Sequence, residues 1–155
     1  MAWDLAQILF SAGLAAFLSG YLISRWRSRD ETITQQLQDL CDEIAMVASD
    51  ASSYWQMGPA DSETRLLSYK VLAGVGRTNG YQSILTQQMS MSAANEIAAA
   101  GAKFLRAATG GEFGVHNRPS DTERAEQILL EGAAFVVAVK QARMRDLEGV
   151  WIRRR

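Results

Sequence analysis

A run without a single charged side chain, Leu5–Ile23, lies between two tryptophans, Trp3 and Trp26, and closes on Arg25, Arg27 and Arg29. A helix rises about 1.5 Å per residue and a bilayer core is about 30 Å thick, so roughly 20 apolar residues span it. Along a helix the two tryptophans stand about 34 Å apart, which suits two interfacial aromatics. A cleavable leader carries its basic residues ahead of the apolar run. Here Asp4 precedes it and the arginines follow. The expectation is a retained anchor over 1–29 in a cell inner membrane. Its basic flank stays inside, which puts the N-terminus outside and the C-terminal domain in the cytoplasm. A buried core helix is the competing reading.

The anchor's composition adds a partner. Ser11, Ala15 and Ser19 recur every fourth residue, as do Ala12, Ala16 and Gly20. Small faces let helix backbones approach closely in lipid, where packing replaces the hydrophobic effect. With one such segment per chain, the expected neighbour is the same segment of another copy, and the chain a homo-oligomer. Asp4, Gln7 and Ser11 share one side. Polar groups are costly against lipid, so that side either packs on a neighbour or lines a water-filled path.

Residues 30–155 are enough for one compact domain. The formal charge of −1 conceals an uneven layout: no Lys or Arg stands between Arg29 and Arg65, and Arg153, Arg154 and Arg155 end the chain. Acid early and base late implies that the two regions pair or meet different partners. Cys41 is the only cysteine and His116 the only histidine. That excludes an intrachain disulfide, a cysteine cluster and a two-histidine metal site.

The pattern after residue 29 is helical throughout. Ile33, Leu37, Leu40, Ile44, Val47, Ala51 and Tyr54 recur with 4-3-4-3 spacing, a heptad seam that joins copies or forms one face of a single-chain bundle. Gly58-Pro59 ends that helix. The next starts after Pro59 with Asp61 as its cap and contains Gly74, Gly76 and Gly80, which permit close packing, a kink or a break. A third helix covers roughly 92–108, with Ala94, Ile97, Gly101, Phe104 and Ala108 on its buried side. The last opens at Ser120, whose Ser-x-x-Glu pattern has the form of a capping box. Ile128–Val139 is apolar nearly all round, which predicts a central core helix. In an up-and-down bundle this helix returns to the membrane, where Trp151, Arg153, Arg154 and Arg155 meet the interface.

Chemistry is harder to find. The loop Thr109–Pro119 is glycine-rich and ends in His116-Asn117-Arg118. Backbone N–H groups at Gly110 and Gly111 can form an anion nest, with Arg118 closing on the phosphate of a nucleotide or RNA. A plain connector is the alternative. Helical ribonucleases of the HEPN type place an arginine a few residues ahead of a catalytic histidine. Here the nearest upstream arginine is Arg106, so that motif is absent. The expectation is therefore an all-α protein: an N-terminal transmembrane helix followed by a cytosolic up-and-down bundle of about four helices. It has no cofactor and is not an enzyme. Its partners are membrane lipid, further copies of itself, a possible nucleotide or RNA, and a possible cytosolic protein. Functionally, it reads as a membrane effector that permeabilises or depolarises the bilayer, or alternatively as a tethered scaffold. The layout is similar to that of small membrane accessory proteins of bacterial antiphage systems.

Overall fold

The computed structural model describes residues 2–58, 62–115 and 118–152, and the side chains of all of these except 2–19, 26, 62 and 148–152. The described residues form four helices and no strand: α1 (Ala2–Gln56), α2 (Ser62–Thr86), α3 (Met91–Thr109) and α4 (Thr122–Ile152). Neither Gly nor Pro falls between Tyr21 and Met57, so nothing interrupts α1's hydrogen-bond ladder until Gly58-Pro59. The chain divides within α1 into two units, Met1–Gln35 and Gln36–Arg155.

In the first unit Gly20, Tyr21, Leu22, Ile23, Arg25, Arg27 and Arg29 are all exposed. No helix among the described residues is long and apolar enough to cross a membrane, so the fold does not support the transmembrane helix expected over 1–29. The side chains on which that expectation rests (Trp3, Asp4, Gln7, Ser11, Ala12, Ala15, Ala16, Ser19 and Trp26) lie outside the described ones. So do Asp61, His116, Asn117, Trp151, Arg153, Arg154 and Arg155.

The second unit is an up-and-down four-helix bundle built from the C-terminal part of α1 and the other three helices. Hydrogen bonds tie opposite ends of successive helices. Gln88, just past α2, donates to Gln36 on α1 (3.2 Å), and Asp121, just before α4, donates its N–H to Trp55 O at the end of α1 (2.7 Å). The Ser90 N–H, before α3, reaches Asp146 near the end of α4 (3.0 Å). α3 packs on α2 and α4. α1 also packs on both: the missing side chain of Gly74 on α2 faces Val47, and that of Gly132 on α4 faces Ala48. α2 and α4 therefore occupy opposite corners and run in the same direction.

Several expectations change. In the heptad seam, Ile33, Leu40, Ile44, Val47, Ala51 and Tyr54 are buried and Leu37 is half-buried. From Leu40 onward the chain's own bundle covers the seam, which leaves no seam face there for a second copy. α2 continues unbroken through its three glycines. A Cβ at Gly74 would collide with Val47 Cγ2, whereas Gly76 and Gly80 face open space; only the first serves a close approach. α4 is not central. It buries Ala125, Ile128, Gly132, Phe135, Val139 and Ala142, and turns Leu130 (72 % exposed), Val137 and Met144 (62 %) outward. Its cap also shifts by one residue, because Asp121 Oδ1, not Ser120, accepts the Arg124 N–H (2.9 Å). Ser90 caps α3 by accepting from the Ala93 N–H.

Candidate functional site

Among the described residues, a dense polar construction lies where the C-terminal ends of α1 and α3 meet. The last turn of a helix presents carbonyl oxygens without partners and the negative end of the helix dipole. Two such ends together require donors, and cations serve best. Arg118 and Arg124, from the α3–α4 connection and the first turn of α4, supply them.

Arg118 is 1 % exposed. Its Nη2 donates to Tyr54 O and, at 3.3 Å, to Met57 O, and its Nη1 donates to Pro119 O at 3.1 Å. The guanidinium lies over the rings of Tyr54 (4.0 Å) and Trp55 (4.7 Å), so its charge also meets two π-faces. Arg124 does the same for α3. Its Nε donates to Ala107 O (2.9 Å), and its Nη2 donates to Gly110 O (2.6 Å) and Arg106 O (3.2 Å). It lies 3.9 Å over the other neighbour in common, the Trp55 ring. Trp55 Nε1 completes the set by donating to Ala108 O (2.9 Å). Phe113 packs on Tyr54 and Trp55, and the Gly114 N–H donates to Tyr54 Oη (2.8 Å).

Three residues of the expected anion-binding loop, Gly110, Gly111 and Arg118, are described, and they are arranged around the helix ends. Arg118 turns inward, and its Nη donors engage backbone carbonyls. Gly110 has an extended φ of −78° and packs against Arg106 O, and Gly111 (φ +63°) lies against the Arg124 guanidinium. Gly111 and Gly114 (φ +83°) occupy the left-handed region, which glycine enters without steric cost. The loop is a clasp over the bundle end. Sequence spacing could not show it, because Arg118 and Tyr54 are 64 residues apart.

A second ionic contact joins α1 to α2. Arg77 Nε donates to Glu43 Oε2 (2.9 Å), and Nη2 lies 2.8 Å from Oε1. Glu43 is buried. The hydrogen bond and then the charge of that carboxylate push Arg77 above its ordinary pKa. At the far end of the bundle Arg145 pairs with Glu96 on α3, and Arg143 lies 3.8 Å from Asp146 on its own helix. Cys41 is buried, and desolvation pushes its thiol pKa up, with Lys140 lowering and Asp42 raising it less. A thiol held protonated is a poor nucleophile.

Open clefts lie among the described residues, two of them lined by polar side chains. One, of about 450 Å³, is lined by Lys103, Arg106 and Arg124 against Asp121, Glu123 and Glu131. Its charges balance, and Arg124 is already committed to carbonyls. The other, of about 330 Å³, lies between α2 and α3 among Asn79, Gln82, Ser83, Thr86 and Asn95. Among the described residues no three His, Cys, Asp or Glu side chains come together as metal ligands. The chain matches no protein-family model, no curated protein and no solved structure.

Proposed function

We propose that this chain is a membrane-tethered, non-catalytic assembly module: the N-terminal segment holds it at a bilayer, and the helical bundle makes protein–protein contacts on the cytosolic side. The observation that carries the reading is uncovered apolar surface. Tyr21, Leu22 and Ile23 stand exposed at the end of a stretch without charge. On the bundle, the outward faces of α2 and α4 expose Leu66, Tyr69, Leu72, Leu130, Val137 and Met144. Contiguous apolar patches on a folded surface mark contacts with protein or membrane. Arg118, Arg124 and Trp55 serve helix ends, and Arg77 with Glu43 forms an inter-helix pair, which are structural roles.

Flotation with vesicles of phosphatidylethanolamine and phosphatidylglycerol tests the tether. The full chain is expected to float with the lipid and to resist alkaline extraction. A Leu9→Arg/Leu14→Arg variant is expected to stay in the dense fraction with an unchanged helical spectrum. A full chain that remains in the dense fraction removes the tether. The second reading, a pore-forming effector, is favoured by the polar side Asp4, Gln7 and Ser11 of the same segment.

A further inference from the structure

The outward faces of α2 and α4 differ in shape. Along one strip of α2 the side chains are minimal: Ala73, Gly76 and Gly80 are exposed, a Cβ at either glycine would meet nothing within 4 Å, and exposed Arg77 and Asn79 border the strip. Tyr69 and Leu72 stand exposed beside this hollow. On α4 the outward face is a ridge, with Leu130, Ala133, Ala134, Val137 and Met144 all exposed. Helices pack when the ridge of one enters the groove of another.

The two faces also match in height. Gly74 on α2 and Gly132 on α4 abut consecutive residues of α1, Val47 and Ala48. Consecutive residues differ by about 1.5 Å along a helix, so positions 74 and 132 are level. Because α2 and α4 run in the same direction, the offset holds approximately along both. Gly76 is then level with Ala134, Gly80 lies within a residue of Val137, and Ala73 lies within a residue of Leu130. The charges follow approximately the same register. Exposed Arg65 on α2 lies at the height of exposed Glu123 on α4, and exposed Lys70 lies within two residues of the height of exposed Glu126.

The geometry points to a head-to-tail contact between copies of this chain, in which the α4 ridge of one seats in the α2 hollow of the next, both bundles in the same orientation. The two faces lie on opposite corners, so each copy offers one donor and one acceptor surface. Such a heterologous interface continues from copy to copy and gives rings where the rotation closes. Like orientation is what copies tethered to one membrane require, and in that respect the inference rests on the reading above.

Cysteine pairing on the full chain in detergent micelles tests it. Gly80→Cys/Val137→Cys is expected to give a ladder of disulfide-linked multimers under mild oxidation, each single variant none. Adding Leu130→Glu to the pair is expected to abolish the ladder. Mixing supplies the second measurement. Gly76→Leu/Gly80→Leu fills the hollow, and Leu130→Glu/Val137→Glu spoils the ridge. Each is expected to sediment as a monomer alone, and the two together as a one-to-one dimer. The interface is overturned if the cysteine pair gives no ladder, if Val137→Cys alone gives dimers (two α4 faces meeting), or if the mixture stays monomeric. A ladder from a chain that does not float removes the tether alone; flotation without a ladder removes the interface alone.

Discussion

Arg118 shows how much one side chain can hold when its partners are backbone carbonyls. It serves the end of α1 and covers two aromatic faces. Removing it leaves carbonyls buried without donors, the costly side of the hydrogen-bond balance. Arg118→Ala is expected to lose about 2–4 kcal/mol of stability in urea denaturation. Arg118→Lys should recover only part of this, because a single ammonium cannot reproduce the fork. Cys41 gives a pH signature. Its pKa is raised in the fold, so the folded state holds a proton that the unfolded chain releases. That contribution is complete below the unfolded thiol pKa of about 8.5 and is lost as pH rises towards the folded value. The stability lost between neutral and alkaline pH should therefore be smaller in Cys41→Ala than in the parent, measured by denaturation at each pH. An equal loss in both chains would remove the assignment.

At the scale of elements, two glycines two residues apart on α2 should respond with opposite signs. Gly74→Ala forces a methyl against Val47 Cγ2 and next to the Glu43 carboxylate, and overpacking of this kind costs about 1–3 kcal/mol. Gly76→Ala meets nothing and should gain about 0.5–1 kcal/mol from helix propensity. Melting temperatures of the two variants decide it. The same pair shows what a sequence conceals: a glycine in a helix marks an exception without saying whether it faces a neighbour or solvent. Periodicity does better where the burial contrast is strong. Ile97, Gly101, Phe104 and Ala108 on α3, and Ile128, Gly132, Phe135, Val139 and Ala142 on α4, follow the heptad pattern and are buried. The pattern fails for the rest of α4, because a helix apolar all round does not reveal which face the bundle leaves open. The clasp was beyond reach for another reason. A guanidinium near a glycine-rich loop reads equally well as a phosphate ligand or as a helix cap, and only the fold brings Tyr54 to Arg118.

At the scale of the whole molecule, the bundle leaves apolar side chains on the outward faces of α2 and α4 exposed, and the proposed assembly depends on them. If the N-terminal segments cluster around a water path, Asp4→Leu/Gln7→Leu/Ser11→Leu should abolish ion leakage from vesicles while assembly persists. Leakage unchanged by the triple substitution would deny those side chains a place in the path. The clasp also limits what could switch such an assembly. The acceptors that Arg118 engages are the backbone carbonyls of Tyr54, Met57 and Pro119. Substituting side chains of α1 leaves those acceptors in place, so withdrawing them from the guanidinium requires moving the backbone itself.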